Sequence, residues 1–238
     1  MQLERILRAQ GFGSRAECRA LIACERVAID GTVFADPLQD LSPEGLVLVV
    51  DDVAWRVRTN VYLAMNKPEN CECSHKPRYY PSVYSLLPRP LVNRNTQAVG
   101  RLDEDTTGLL VLSDDGQFIH RCTSPKKVVP KVYHVTTRHP LDEEQVGRLL
   151  AGVVLNDDPV PVLAAACDIM APTLLRLTIT EGKYHQVKRM VAAVGNRVEK
   201  LHRQSIGLYS LPDDLAPGQW CWLEAPDIAA VTSSLAET

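Results

Sequence analysis

An acidic, hydroxyl-rich stretch between two apolar runs holds the residues best suited to chemistry in this 238-residue chain. It reads Gly100-Arg101-Leu102-Asp103-Glu104-Asp105-Thr106-Thr107-Gly108, and the apolar run Leu109-Leu110-Val111-Leu112 follows. The pattern predicts a carboxylate on a loop between two buried strands, where scaffolds often present catalytic groups. Asp103 could act there as a nucleophile or a proton acceptor. By residue type alone these side chains could also be turn formers, because they hydrogen-bond nearby backbone amides.

The order of residues from Ala98 to Ser113 resembles the catalytic segment of a pseudouridine synthase superfamily. In that family the first Asp of the loop is the nucleophile, so the resemblance implies this role for Asp103. It also implies that Arg101 helps to hold the flipped conformation of the target nucleotide. The match continues from residue 62 to residue 223, which an accidental turn would not do.

Two further segments are similar to motifs of the same superfamily. Lys131-Val132-Tyr133 is similar to a Lys-x-Tyr motif whose Tyr lies against the target uracil. The segment from Leu177 to Met190 is similar to a motif in which an Arg or Lys pairs with the catalytic Asp. Lys188 occupies that position here, and its neighbour Arg189 competes with it for the carboxylate. By type alone, Tyr133 could be a core aromatic residue and Lys188 a surface lysine with a covered stem.

The reaction that the resemblance implies explains these residue types. Uridine loses the bond between its sugar and N1, the base rotates, and a new bond forms at C5. The reaction needs no redox step and no energy input, so no cofactor is expected. A cation at Lys188 would favour the charged form of Asp103 in a site that largely excludes water. The target base must also leave its stack, and Tyr133 offers it a flat face.

The closest resemblance is to the RsuA branch of the superfamily, which modifies one uridine of 16S rRNA. It rests on Tyr184-His185-Gln186-Val187-Lys188, on Leu201-His202-Arg203 and on the N-terminal module. It implies ribosomal RNA as the partner, 16S rRNA in a partly assembled small subunit, and a monomeric protein. We expect Lys131, His185 and Arg189 to contact the RNA.

Two alternatives remain open at this point. A large-subunit (23S) rRNA synthase of a sister branch would carry the same motifs. A non-catalytic RNA-binding or ribosome-assembly protein belongs to a different class. Such a protein has no need of the Asp103, Tyr133 and Lys188 set, since a carboxylate near RNA phosphates only weakens binding.

Residues 1–57 are expected to form a separate small domain. Apolar residues at helical spacing end at Gly11, and Ser14 with Glu17 predicts a capping box at the start of a second helix. The order helix, helix, strand, turn, strand resembles the S-four-like RNA-binding module of ribosomal proteins and some tRNA synthetases. The arginines that would line its RNA face are Arg5, Arg8, Arg15 and Arg19. Glu4 and Glu25 make this face less basic than is usual in that family.

A second domain, the catalytic one, is expected over residues 62–238, after a polar joint at 56–60. We predict strands at 62–67, 109–112, 131–136, 162–169, 174–180, 198–202 and 220–223, and helices at 82–87, 117–123, 142–150 and 184–194. Strands outnumber helices and do not alternate strictly with them. This favours an α+β fold with a mixed, largely antiparallel sheet.

Composition limits the cellular setting of the protein. No apolar run approaches the ~20 residues of a membrane span, and the N-terminus lacks the layout of a secretion signal. We therefore expect a cytoplasmic protein that does not bind membranes. An odd number of cysteines, seven, then indicates reduced thiols. Cys71 and Cys73 are spaced too tightly for a zinc site, so no metal is expected.

The net charge of -3 argues against a generic basic nucleic-acid binder. It does not exclude a specific one, because one basic face is enough. Basic residues cluster at 126–138 and at 183–203, and we expect these two runs to flank the candidate active site.

Overall fold

The computed structural model describes residues 1–155 and 158–235, which divide into two units. The first unit combines Met1–Val61 with Leu87–Gln97, and the second combines Tyr62–Leu86 with the chain from Ala98 onward. The chain passes from the first unit to the second after Val61, returns to the first after Leu86, and enters the second again after Gln97. Leu87–Gln97, which the sequence analysis assigned to the catalytic domain, clusters with the first unit instead.

Two helices and a small antiparallel sheet form the Met1–Val61 part of the first unit. Their bounds are α1 (Leu3–Ala9), α2 (Arg15–Ala23), β1 (Val27–Ile29), β2 (Thr32–Val33), β3 (Val47–Val50) and β4 (Val53–Arg56), and the strand order is β2-β1-β3-β4. The predicted capping box is present: the amide of Glu17 donates to Ser14 Oγ at 3.3 Å, and the Ser14 amide donates to the Glu17 carboxylate at 2.7 Å. Apolar side chains from both helices and from β1 and β3 share one core.

Sequence reasoning missed the β3–β4 hairpin and a short helix of the first unit. The hairpin turns at Asp51 and Asp52, both in the left-handed region with φ of 52° and 61°. Such turns usually carry Asn-Gly or Asp-Gly, so Asp-Asp gives a weak signal. Helix α3 (Arg89–Asn93) lies in a proline-rich stretch that was expected to be irregular. The Asn93 side-chain amide donates to the carbonyl of Gly11 at 2.8 Å, which ties α3 to this unit.

A large mixed sheet dominates the second unit. The remaining strands are β5 (Tyr62–Lys67), β6 (Gln97–Val99), β7 (Thr106–Ser113), β8 (Lys131–Thr137), β9 (Val153–Leu155), β10 (Asp158–Val162), β11 (Ala166–Ala171), β12 (Leu174–Ile179), β13 (Val198–Ile206), β14 (Tyr209–Ser210) and β15 (Trp220–Trp222). Within the described residues the sheet has nine strands in the order β11-β12-β8-β13-β7-β5-β15, with β14 beside β13 and β6 beside β7. Strands β9 and β10 pair separately.

Helices cover this sheet and complete the α+β fold that the sequence predicted. They are α4 (Gly116–Thr123), α5 (Glu143–Ala151), α6 (Gln186–Ala193) and α7 (Ala225–Thr232), with 3₁₀ turns at Val83–Leu86 and Pro125–Lys127. Phe118 and Cys122 of α4 and Val231 of α7 pack with Val111 of β7 in one buried cluster. Helix α4 starts where Asp115 accepts the amides of Gln117 and Phe118 at 2.9 and 3.3 Å.

Some predicted elements differ from the observed ones. The strand expected at 162–169 is two strands, β10 and β11, because the chain leaves the ladder between Val162 and Ala166. Strand β7 begins at Thr106 instead of at residue 109, so the acidic loop is shorter than expected. Helix α7 was not predicted.

One strand pair of the large sheet is parallel, and it lies beside the acidic loop. Strand β13 runs parallel to β7 and antiparallel to β8, so that Arg203 is opposite Gly108 on one side and Tyr133 on the other. Gly108 has φ of +98°, and a Cβ added there would lie 2.4 Å from the carbonyl oxygen of Arg203. Glycine at this position therefore lets β13 approach the strand that carries the acidic loop.

Neither a membrane-spanning helix nor a metal cluster is found in the part of the chain that the structure describes. None of its helices has the length and apolar character that crossing a bilayer requires. No group of three or more His, Cys, Asp or Glu residues is placed there to hold a metal ion.

Candidate active site

Asp103 lies on the loop between β6 and β7, and backbone hydrogen bonds fix that loop. The amide of Thr106 donates to the Asp103 carbonyl at 3.2 Å. The ammonium group of Lys67 donates to the carbonyls of Glu104 and Thr106 at 3.1 and 2.9 Å, and to that of Pro68 at 3.1 Å. Lys67 is fully buried, and burial lowers its pKa. A buried lysine of this kind stabilises the loop because carbonyl acceptors replace the water that it has lost.

Two side chains from the start of α6 contact the carboxylate of Asp103. Nζ of Lys188 lies 2.9 Å from Oδ2, and Nε2 of His185 lies 3.3 Å from Oδ1. The side chains of Asp103 and Lys188 are each 25% exposed. Partial burial strengthens such charge-assisted contacts relative to a fully solvated pair. The carboxylate is thus held from both sides yet still reachable from solvent.

Asp105 shares the ammonium group of Lys188 with Asp103. Its Oδ1 lies 2.6 Å from Lys188 Nζ, although the Asp105 side chain is half exposed. Burial is the largest single effect and would raise the pKa of Asp105, but the hydrogen bond and the charge of Lys188, with weaker hydrogen bonds from the backbone and Thr106, together lower it. Burial likewise opposes the charge of Lys188, yet its hydrogen bonds to Asp105 and Asp103 raise its pKa. One cation therefore balances two carboxylates.

Arg189, which was expected to compete with Lys188, contacts a different part of the chain. Its Nη1 donates to the carbonyl of Tyr184 at 3.0 Å, and it does not line the cavity around Asp103. His185, at the start of the helix, has φ of 47° and ψ of 33°, in the left-handed region. Unusual backbone conformations of this kind tend to persist at functional sites. The turn brings the His185 side chain to Asp103 instead of leaving it on the helix surface.

A small cavity opens beside Asp103; we call it the catalytic cavity. Its volume is about 140 Å³, and its lining includes Arg101, Asp103, Lys131, Tyr133, Lys188 and Arg203. Cavities of about this volume hold a single six-membered ring. With His185, which also lines it, the structure brings together six residues that the sequence singled out, and it adds Arg203.

Two buried cations form the inner wall of the catalytic cavity. Arg203 is 2% exposed, and its guanidinium donates to the carbonyls of Leu109 and Gly100 at 2.8 and 3.1 Å. Lys131 is 8% exposed and donates to the Val129 carbonyl at 2.9 Å. Burial, with a smaller effect of the Arg203 charge, lowers the pKa of Lys131 to about 8. This wall can attract electron-rich carbonyl oxygens of a bound base.

Sequence reasoning did not include Lys67, Asp105 and Arg203 among the site residues. Lys67 follows Asn66 in β5, and Arg203 lies between His202 and Gln204 in β13, so polar sequence neighbours hide the burial of both side chains. Asp105 gave no signal either, because only the position of α6 brings Lys188 to it.

The four arginines expected to contact RNA lie on the helices of the first unit. All four are exposed there. Arg15 Nε lies 3.5 Å from the carboxylate of Glu4, and Arg19 hydrogen-bonds to the same carboxylate. Glu4 is 2% exposed, and the hydrogen bond from Arg19 lowers its pKa although burial acts against this. Glu4 therefore reduces the positive charge of the expected RNA-binding face, but it also orients two of the arginines on that face.

Comparisons with known proteins agree with this geometry. A model of the RNA pseudouridylate synthase family matches residues 61–193. The chain is 41% identical to the Ribosomal small subunit pseudouridine synthase A of Yersinia pestis, over 97% of this chain and 98% of that protein. It is 38% identical to the protein of the same name from Escherichia coli K12, over 97% of this chain and 100% of that protein.

A solved structure supports the same assignment. The chain is similar to a crystal structure described as a pseudouridylate synthase, with a TM-score of 0.70, 34% identity, and coverage of 97% of this chain and 99% of that chain. The superfamily expected from the loop, the Lys-x-Tyr motif and the helix motif is therefore confirmed.

Proposed function

Because this chain belongs to the RNA pseudouridylate synthase family and is therefore an isomerase acting on RNA, we propose that it converts one uridine of 16S rRNA, the small-subunit RNA, to pseudouridine. The similar proteins named above are described as small-subunit synthases, and they match over almost their full length. This favours the small subunit over the large-subunit alternative.

One observation carries the catalytic part of the proposal: a partly exposed carboxylate is held between a lysine and a histidine at the wall of a ring-sized cavity. Asp103 is the carboxylate, with Lys188 at 2.9 Å and His185 at 3.3 Å. A purely RNA-binding protein gains nothing from this arrangement, because the carboxylate repels phosphates. A nucleophile, in contrast, must be charged, oriented and accessible.

We assign the following roles around the reacting uridine. Its bond between C1′ of the sugar and N1 breaks, a bond between C1′ and C5 forms, the hydrogen at C5 leaves as a proton, and N1 takes up a proton. Asp103 supplies the electron pair for a transient bond to the nucleotide, which breaks again as the product forms, and Lys188 pairs with the carboxylate. Tyr133, 7% exposed at the back of the catalytic cavity, provides the flat face for the uracil. Arg101, exposed at the rim, supports the nucleotide after it has left its stack.

The remaining RNA contacts are proposed from charge and position. Lys131 and His185 line the catalytic cavity and would meet the base or its sugar. Arg189 would contact the backbone further out. Residues 1–57 would act as the RNA-binding domain through Arg5, Arg8, Arg15 and Arg19, with the catalytic domain at 62–238. Cations of this kind contribute affinity by releasing counterions from the RNA.

We further propose that the substrate is 16S rRNA in a partly assembled small subunit, and that the protein acts on it as a monomer in the cytoplasm. The names of the similar bacterial proteins support the choice of RNA. The proposed reaction needs no redox step and no energy input, so the proposal includes no cofactor.

Mapping of pseudouridine tests the proposal directly. Both ribosomal RNAs from cells with and without the protein are compared, and purified protein is added to 16S rRNA transcripts and to small-subunit particles. We expect one site in 16S rRNA to depend on the protein and on Asp103. A dependent site in 23S rRNA would identify the sister branch. No dependent site in either RNA would favour an RNA-binding or assembly role.

A further inference from the structure

A second, wider cavity adjoins the catalytic cavity on its solvent side. We call it the outer groove; its volume is about 530 Å³, and it is lined by Arg78, Tyr79, Tyr80, Arg101, Tyr184 and His185 together with Asp103. Arg101, Asp103 and His185 line both cavities. Whatever occupies the outer groove therefore lies next to the nucleotide in the catalytic cavity.

Three tyrosines of the outer groove expose unusually large aromatic surfaces. Tyr79 is 87% exposed, Tyr184 is 73% exposed and Tyr80 is 41% exposed. Aromatic side chains normally bury most of their surface, so exposed rings gathered at one groove suggest a ligand with flat faces. The groove also carries guanidinium groups from Arg78 and Arg101. Flat rings beside cations are the combination that binds single-stranded nucleic acid.

The carboxylate of Glu72 fixes the segment that presents two of these tyrosines. It accepts hydrogen bonds from the backbone amides of Arg78 at 3.0 and 3.1 Å, of Tyr79 at 2.7 Å and of Tyr80 at 3.0 Å. These bonds lower the pKa of Glu72, because they stabilise the charged form. The loop is therefore organised around one carboxylate while its side chains remain in solvent.

Tyr184 is fixed from a different element. Its ring stacks on the imidazole of His185, with 3.8 Å between centroids and 20° between planes, and His185 in turn contacts Asp103. One face of Tyr184 is thus covered, and its exposure leaves the other face open to solvent. A base stacked on that face would extend a row of rings that ends at the catalytic carboxylate.

We propose that the outer groove binds a nucleotide next to the target uridine, with its base stacked on Tyr184 and against Tyr79. Arg78 and Arg101 would contact the adjoining phosphates, and Glu72 acts as a positioning residue. The inference rests on the proposed function, since it presumes an RNA substrate. It adds a subsite that selects RNA in which the neighbour of the uridine is also unstacked.

Binding of a labelled ten-nucleotide oligouridylate tests the stacking without any need for turnover. We expect Tyr184→Ala and Tyr79→Ala each to weaken the affinity by about 5-fold to 150-fold, the usual effect of losing one base–aromatic stack. Tyr184→Phe should bind like the unaltered protein, because it keeps the ring. The salt dependence should stay the same for the tyrosine variants, since they remove no charge, and become shallower for Arg78→Ala. Leu208→Ala, at a 69% exposed apolar residue outside the groove, is the control.

A second experiment locates the nucleotide. In 16S rRNA ligated around the mapped uridine, the 5′ or the 3′ neighbour is replaced by an abasic nucleotide. For one of the two neighbours, this change should reduce kcat/KM of the unaltered protein at least as much as Tyr184→Ala does, and adding Tyr184→Ala to the abasic RNA should reduce it no further. Equal kcat/KM with and without the neighbouring base, or additive losses, would overturn the subsite.

The two proposals fail in different ways. If the unaltered protein modifies no uridine, the proposed function is wrong, and the oligouridylate affinities still decide whether the groove stacks bases. If it modifies 16S rRNA but Tyr184→Ala and Tyr79→Ala bind oligouridylate normally, the function holds and the stacking subsite is wrong. Glu72→Gln weakens the acceptor that holds the backbone amides of the tyrosine loop, so it should lose part of the oligouridylate affinity that Tyr79→Ala loses. Tyr184→Phe should lose none.

Discussion

Replacing Lys188 by Met is the sharpest test of the proposed catalytic arrangement. The variant keeps the apolar stem but removes the ammonium group, which lies 2.9 Å from the carboxylate of Asp103 and 2.6 Å from that of Asp105. At 2.9 Å and an effective dielectric constant of about 20, the attraction to one carboxylate is about 6 kcal/mol. That value is an upper bound, since both side chains are a quarter exposed and water would replace part of it.

The expected loss of activity follows from the screened part of this attraction. Removing one partner of a hydrogen-bonded, partly buried charge pair typically costs about 2–4 kcal/mol. If the cost falls on the activated complex, the rate of the chemical step drops about 30-fold to 1000-fold. Without the ammonium group the pKa of Asp105 rises, because only its weaker hydrogen bonds from the backbone and Thr106 then oppose the effect of burial, and the loop loses a charge in mildly acidic solution. The deficit should therefore widen as the pH falls from 7 to 5.

Release of tritium from RNA labelled at C5 of uridine measures the step in a single turnover. Lys188→Arg should recover part of the activity, because it keeps the charge. Arg189→Met is the matched comparison, since it removes the neighbouring cation, which contacts Tyr184 and lies outside the catalytic cavity. The reasoning is refuted if Lys188→Met stays within about threefold of the unaltered rate, or if Arg189→Met is the more impaired variant.

Four further variants test other parts of the account. Asp103→Asn should lower turnover by about four orders of magnitude or more, as loss of a nucleophile does, while filter binding of 16S rRNA persists; turnover near the unaltered rate would contradict the nucleophile role. Lys131→Met should change how stability depends on pH. The pKa of Lys131 is about 8 in the folded protein, against an ordinary value of 10.5. The charged side chain therefore destabilises the folded state below pH 8. This cost, at most about 3 kcal/mol, disappears as the pH rises from 8 through 10.5. Urea unfolding should show the unaltered protein gaining on Lys131→Met between pH 7.5 and pH 10; a constant difference would argue against the shift. Gly108→Ala should destabilise the protein by about 2 kcal/mol or more, because the new Cβ would meet the carbonyl of Arg203 at 2.4 Å, and an unchanged urea midpoint would disprove this. Arg8→Ala should reduce the salt slope of 16S rRNA binding by about 1, and an unchanged slope would remove Arg8 from the RNA face.

The sequence by itself determined the features that depend on neighbouring residues. The capping box of Ser14 and Glu17 is local chemistry, and it is present as predicted. Apolar runs and turn residues predicted most strands of the large sheet. The lack of strict alternation between strands and helices predicted that the sheet is mixed. The order of residues around Asp103 identified the family, because a motif of adjacent residues needs no knowledge of the fold.

Prediction from the sequence was weaker where the backbone conformation is unusual. The hairpin at Asp51 and Asp52 was missed because two consecutive residues in the left-handed region normally include glycine. Helix α3 was missed because prolines before and within it mimic a loop.

Only the tertiary structure decided which side chains meet. Lys188 and Arg189 are adjacent on α6 and equal in charge, and nothing local distinguishes them. The packing of the helix turns Lys188 towards Asp103 and Asp105 and leaves Arg189 with Tyr184. Lys67, Glu72 and Arg203 were likewise invisible as positioning residues, because each binds backbone groups. Such groups are present at every residue, so the sequence does not mark which ones a side chain will find; the fold alone brings them within reach.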